Sequence, residues 1–310
     1  MANKRHLNLE SITLMANSTR ETYKAHAALL LFAFLVSTSF TIGRTITFAL
    51  DPAALTFLRF SMAVMIFIAI LVVSGEKLRL PDLRSWLRYF FLALLLVIFF
   101  VTMFEGLRWT TPIAAGAVFT LIPFMTAIIA FVGFGQKMKL VSFAGLLIAS
   151  LASIWIMFNG DLQAIASLKL GKGEMIFLIG CVSYAGYAPA VQKLHKGDRL
   201  IYLTLWTLLA GAILLFIYGR TAILTTQWHL VSSYVYLSIA WLTVFTTAIT
   251  FYLIQYAAVR LPSVKVMSYT LLIPAFILLQ HLLLGGGWPD MPILIALGVL
   301  SGAMLVLQRS

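Results

Sequence analysis

Ten apolar stretches, each about as long as a hydrocarbon core is thick, follow one another through this chain with little between them. A helix needs about 20 apolar residues to cross roughly 30 Å of hydrocarbon. The sequence divides into such runs near 26–48, 52–73, 88–109, 112–134, 140–158, 173–192, 200–219, 233–257, 262–284 and 291–307. Turn chemistry separates them: Asp51-Pro52, Pro81-Asp82, Thr111-Pro112, Asn159-Gly160-Asp161, Leu261-Pro262 and Gly285-Gly286-Gly287 with Pro289. The runs are continuous in Leu, Ile, Phe and Ala, whereas a membrane barrel alternates in segments of about ten residues. An all-α integral membrane protein with ten transmembrane helices is therefore expected. Only 10% of the 310 residues are charged, against about a quarter in a soluble domain, which leaves little for a separate aqueous domain. The polar tail, residues 1–25, has no signal-peptide apolar core and cleavage pattern directly behind its basic start, so the first run is expected to stay as a helix.

A net charge of +12 raises the question of nucleic acid, and the positions of the basic residues answer it. With ten crossings, fifteen of the 22 Lys and Arg residues fall on one side: Lys4, Arg5, Arg20, Lys24, Lys77, Arg79, Arg84, Arg88, Lys137, Lys139, Lys193, Lys196, Arg199, Arg260 and Arg309. The other side holds Arg108, Lys169, Lys172 and Arg220, and Arg44, Arg59 and Lys265 lie inside spans. The positive-inside rule makes the first side cytoplasmic, with both termini there. Dispersed among short loops and flanking no aromatic platform, these charges speak against nucleic-acid binding and for a lipid bilayer as partner. The one cysteine, Cys181, excludes an internal disulfide and is expected to pack.

The chain also repeats itself. "EGLRWTTPIAAGAVFTLIP" from 105 parallels "QYAAVRLPSVKVMSYTLLIP" from 255, with seven residues from Glu105 to Pro112 and seven from Gln255 to Pro262. Phe119-Thr120 then matches Tyr269-Thr270, and after a one-residue slip Leu121-Ile122-Pro123 matches Leu272-Ile273-Pro274. An offset near 150 over five helices is a duplication, and an odd helix number makes the copies cross in opposite senses. Inverted repeats are characteristic of secondary transporters, whose substrate site lies between the copies near the midplane. The expected organisation is a cytoplasmic tail (1–25), a first five-helix repeat (26–158), a periplasmic linker (159–172) and a second five-helix repeat (173–308).

"DPAALTFLRF" in span two, "GLRWTTPIAAGAVFTLIPFMTAIIAFVGFGQ" across spans three and four, and "AVRLPSVKVMSYTLLIPAFILLQHLLLG" in the second half resemble the EamA family of the drug/metabolite transporter superfamily. The likeness covers roughly 28–158 and 173–307. It implies a ten-helix carrier of the bacterial inner membrane, commonly an exporter of amino acids, related metabolites or metal-chelating metabolites, and it carries over no catalytic residue. Where the family often has Gly-Glu after helices four and nine, this chain has Gly135-Gln136 and Gly286-Gly287. At a membrane edge the change is expected to touch loop geometry more than transport.

Charges inside spans are costly and mark candidate functional positions. At 1.5 Å per residue, Arg44, Arg59 and Glu105 lie about 7, 10 and 6 Å inside the outer ends of spans one, two and three. Glu105 is therefore either a strut paired with these arginines or Arg108, or a gate or coupling group that breaks its pair or takes up a proton. Gln255, its repeat partner near the opposite end of span eight, is polar without a titratable charge. Lys265, one turn inside span nine, either snorkels to the surface or faces the cavity and attracts a substrate anion.

Ser39, Phe40, Tyr184, Tyr187, Trp206, Trp241, Tyr252 and Tyr269 supply apolar faces with polar handles and are the substrate-cavity candidates. Tyr184 and Tyr187 stand out because they flank Gly186 and precede Pro189, which can loosen that helix. Gly145 and Ala149 in span five, and Gly298 and Gly302 in span ten, permit close helix approach, packing the two spans together or forming a homodimer seam.

A membrane enzyme needs activated nucleophiles, metal ligands or paired carboxylates. The chain has no HExxH, GxSxG or aspartate-rich motif, and its histidines, His6, His26, His195, His229 and His281, lack ligand spacing. No Walker motif and no repeated filter sequence occurs, and neither cofactor nor metal is expected. The expectation is a secondary active transporter exporting amino acids or similar anionic or zwitterionic metabolites by alternating access, with uptake, or facilitated uniport or exchange, as the alternative.

Overall fold

A computed structural model describes residues 2–136, 138–167, 170–283, 285 and 287–309, without the side chains of 2–18, 41, 44, 112, 113 and 281. The described residues form helices and connections, with no strand among them. In chain order the α-helices are α1 Ala2–Ile46, α2 Pro52–Val73, α3 Leu83–Trp109, α4 Pro112–Phe119, α5 Ile122–Phe134, α6 Leu140–Met157, α7 Leu162–Ala166, α8 Lys172–Ala185, α9 Tyr187–Leu194, α10 Leu200–Tyr218, α11 Arg220–Thr225, α12 Ser233–Thr243, α13 Thr250–Ala258, α14 Ser263–Ser268, α15 Ile273–Leu283 and α16 Met291–Arg309. A π-helical segment, Val244–Ile249, joins α12 to α13, and a 3₁₀ turn, Tyr269–Leu272, joins α14 to α15.

Among the described residues ten segments are long and apolar enough to cross a membrane: Thr19–Phe40 within α1, then α2, α3, α4 with α5, α6, α8 with α9, α10, α12 through α13, α14 with α15, and α16. The polar tail is helical and continuous with the first span. The turn signals act as caps. Asp51 accepts the Ala53 N–H at 2.8 Å ahead of Pro52, and Asp82 accepts the Ser85 N–H at 3.1 Å. The Ser85 hydrogen bonds hold the Asp82 carboxyl below the usual carboxylate range.

The repeat is visible in its defects. Between α4 and α5 the helix breaks at Thr120-Leu121, and between α14 and α15 it tightens over Tyr269–Leu272, with Pro123 and Pro274 one residue into the helix that follows each break. A proline near a helix start forfeits only a backbone donor that has no helical acceptor. The principal seams pair α3 with α8, α6 with α16, α10 with α2 and with α3, α1 with α13, and α2 with α12. Exchange of each span with the one five later maps this set onto itself, so the two halves are related by a pseudo-twofold.

The core is aromatic and interdigitated, and Cys181 is buried in it. Large apolar side chains such as Met65, Val72, Val132 and Leu140 face outward, as a hydrocarbon solvent requires.

Candidate functional site

Helices α1, α3, α4, α8 and the π-helical span meet around an enclosed cavity of about 20 Å³ in the bundle interior. Its wall takes Ser39, Phe40 and Val36 from α1, Phe99, Phe100 and Met103 from α3, and Phe119 from α4. The second half contributes Tyr184, Thr246, Thr250 and Phe251. Tyr184 stacks on Phe99 with ring centroids 4.4 Å apart, and Tyr187 lies parallel to Tyr184 at 6.2 Å. The Tyr187 hydroxyl accepts from Gln255 Nε2 at 2.8 Å, while Gln255 Oε1 accepts from the Thr204 hydroxyl at 2.5 Å. Gln255 is thus a buried link between α13, α9 and α10.

Arg59 lies against the same wall. Its side chain is fully buried, and its Nη2 donates to the hydroxyls of Thr246 at 3.1 Å and Thr247 at 2.7 Å. The guanidinium carbon sits 4.8 Å from the centroid of Phe100 and 5.4 Å from that of Phe104. Its Nε and Nη1 have no acceptor among the described residues. No carboxylate among those residues pairs with it.

Glu105 meets a different arginine. Its carboxylate accepts from Arg108 at 3.2 Å and from Trp109 Nε1 at 3.1 Å, both within one turn of α3. Arg108 also donates to the backbone oxygens of Thr47 and Leu50, tying α3 to the end of α1. Glu105 lines an opening of about 280 Å³ with Asp51, Tyr218 and Thr221 on the face opposite the C-terminus. Arg44, expected in this group, lies outside the residues whose side chains are described.

The face that carries the C-terminus has its own opening, about 440 Å³, bordered by Lys265, Lys139, Gln136, Gln192 and Pro262. Lys265 Nζ donates to the Gln308 carbonyl at 2.7 Å, which caps the end of α16. Gly135 takes a left-handed conformation, φ 67°, and closes α5 with the Gln136 N–H on the Ala130 carbonyl. That turn delivers Gln136 to Gln192, 2.5 Å away, and to the Ser263 hydroxyl at 2.6 Å. The position expected to shape a loop is also the hub of side-chain contacts between the two halves.

The remaining candidates disperse. Trp206 is buried against Trp86, ring centroids 5.5 Å apart, away from the cavity wall. Trp241 and Tyr252 are outward-facing, the first bonded to Thr38 and the second stacked on Tyr256. Tyr269 pairs with His26 Nδ1 at 2.8 Å. Gly145 and Ala149 do face α16, where a Cβ on Gly145 would meet the Ala303 carbonyl at 3.4 Å. Their repeat partners do not reciprocate: Gly298 and Gly302 are exposed, with nothing within 4 Å of where a Cβ would stand. Of the two arrangements expected, packing of the spans together or a homodimer seam, the α6–α16 contact within the chain uses Gly145 against Ala303 and Leu307 and leaves Gly298 and Gly302 outside it.

Thr246, Thr247 and Glu174 escaped sequence reading. The two threonines stand with Thr243 and Thr250 in an otherwise apolar run, and nothing local marks a π-helical turn there. Glu174 accepts from the Thr110 hydroxyl and from the Gly171 N–H at 2.9 Å, stitching the end of α3 to the start of α8. The glutamate at N3 of a helix was the available signal.

The profile of the EamA-like transporter family matches residues 23–158 and again 171–308. Among curated proteins, "Uncharacterized transporter YyaM" of Bacillus subtilis (strain 168) is 24% identical over 191 residues, 61% of this chain. The match spans 62% of that relative's length, under two thirds. A solved chain described as "Crystal structure of protein" has the same fold, with TM-score 0.71 at 19% identity over 94% of this chain and 97% of that one.

Proposed function

The chain belongs to the EamA-like transporter family and is a multi-pass inner-membrane protein, and on that premise we propose that it is a secondary active transporter exporting amino acids or amino-acid-like metabolites. The observation that carries this reading is the interior cavity walled by both repeats, Phe40 and Phe99 from one and Tyr184 and Thr250 from the other. A site between inverted copies is exposed to either side by rocking one copy against the other. Aromatic rings with tyrosine and threonine hydroxyls suit a small molecule with an apolar body and a polar end. With both termini in the cytoplasm, as the charge asymmetry favours, the opening beside Lys139 and Lys265 is on the side from which an exported anion or zwitterion enters.

Counterflow in liposomes tests the reading. Purified protein preloaded with one unlabelled amino acid accumulates the same labelled amino acid transiently and saturably, and protein-free vesicles do not. Absence of exchange across a panel of apolar, polar and charged amino acids discards this substrate class.

A further inference from the structure

We propose that Arg59 is the substrate's carboxylate-binding group, an inference that rests on the transport reading and narrows its substrate to small monoanionic or zwitterionic acids with an apolar body. Arg59 lies about 10 Å inside its end of α2 at 1.5 Å per residue, fully buried, with no carboxylate partner among the described residues. A charge left unpaired in such surroundings is penalised by several kcal/mol, and a chain gains by replacing it with an apolar residue unless something uses the charge.

The neighbours do not neutralise it. Thr246 and Thr247 each aim a hydroxyl back at the Leu242 carbonyl, 2.9 and 3.0 Å away, leaving a lone pair for Arg59 Nη2. They orient the guanidinium as neutral acceptors. Nε and Nη1, three N–H donors in all, have no acceptor among the described residues. Thr246 and Phe100, both in contact with Arg59, line the interior cavity, so the guanidinium stands directly behind its wall, and an oxyanion lodged there would meet those donors once the side chain turned toward it.

The threonines stand on the π-helical segment Val244–Ile249. Such bulges are found frequently at functional sites. At about 20 Å³ the cavity holds no amino acid while closed; admission requires the wall to part. Movement of the π-helical segment would do this while carrying the Arg59 contacts with it. One cation facing phenylalanine rings suits one negative charge; a phosphate dianion would leave its second charge against Phe99 and Phe119.

The experiment compares acids with their amides. Thermal unfolding of the purified full-length protein in detergent is followed with leucine, phenylalanine and benzoate, with leucinamide, phenylalaninamide and benzamide, and with sodium chloride at matched ionic strength. Expected is stabilisation by at least one acid, its amide needing about tenfold more for the same shift, and loss of that difference in Arg59→Gln. Equal effects of acid and amide, no stabilisation by any acid, or an equal effect of chloride overturns the proposal, even if Arg59→Gln does not fold. In liposomes, Arg59→Gln raises the KM for acid counterflow at least about tenfold, with Arg59→Lys intermediate. Wild-type flux with an unchanged KM in folded Arg59→Gln sinks the Arg59 assignment and leaves the transport reading standing; acid-selective stabilisation without any flux does the reverse.

Discussion

Gly106 and Gly173 approach so closely that neither has room for a side chain: a Cβ on Gly106 would lie 2.9 Å from the Gly173 carbonyl oxygen, and one on Gly173 2.8 Å from that of Gly106. The contact fixes the crossing of α3 and α8, which joins the two repeats and sets Phe99 against Tyr184 at the cavity wall. Because the obstacle is backbone, no rotamer change relieves it. Gly173→Ala should destabilise the protein by about 1–3 kcal/mol, read as a lowered unfolding midpoint in detergent. Gly133→Ala, inside α5 with open space around its Cβ direction, should not lower the midpoint and gains up to about 1 kcal/mol of helix propensity.

The spans and the repeat were legible because hydrophobic length and proline spacing are local properties. Pro123 and Pro274 marked the repeat, but spans four and nine read as continuous helices, and the break just ahead of each proline is a feature that only the structure shows. Partner choice is not local. Glu105 had three arginines at similar depth, and its own helix supplied the partner because Arg108 is one turn away on the same face. Arg59 met threonines 187 and 188 residues further along the chain, a contact that only the α2 to α12–α13 packing creates. The cavity candidates divided for the same reason. Ser39, Phe40 and Tyr184 reached the wall, whereas Trp241 and Tyr252, equally amphipathic, fell on the outward side of their span.

At the Glu105 pair the two partners should differ in weight. Glu105 is about one third exposed, with a side-chain accessibility of 35%, so its ion pair contributes under about 1 kcal/mol, and Gln can still accept from Trp109. Arg108 also satisfies the Thr47 and Leu50 carbonyls. Glu105→Gln should shift the unfolding midpoint little, and Arg108→Ala should lower it by the equivalent of about 2 kcal/mol. The folded Glu105→Gln protein then separates coupling from support: as a coupling group its loss abolishes the response of counterflow to an imposed pH gradient, and as a strut it leaves that response intact.

Gln255 should be intolerant of an apolar replacement of similar size. Its amide is buried and serves both Thr204 and Tyr187, so Gln255→Leu strands the Tyr187 hydroxyl beside the stacked rings. Leaving one buried polar group unsatisfied costs about 1–3 kcal/mol. The expected result is a lowered unfolding midpoint, with partial recovery when Tyr187→Phe is added, since the double change removes both ends of the bond. Additive losses would show that the pair does not interact energetically.

The Gln136 hub predicts a conformational effect. Gln136 holds α9 through Gln192 and α14 through Ser263, and Gln192 reaches the Leu261 carbonyl at 3.4 Å, so three helices of two repeats close together at the face carrying the C-terminus. Gln136 and Gln192 border the opening on that face. Gln136→Ala removes the hub without adding charge and should favour conformations open at this face. The protein reports on itself, because its single cysteine, Cys181, is buried. A Ser39→Cys variant places a thiol on the cavity wall, where Ser39 is almost inaccessible. On the proposed cytoplasmic orientation of the termini, inside-out vesicles present that face outward, and labelling there by a membrane-impermeant maleimide should be several-fold faster when Gln136→Ala is combined with Ser39→Cys. Unchanged labelling would mean that Phe40, Phe99 and Phe119 seal the cavity unaided, and the polar hub would then serve only to join helix ends.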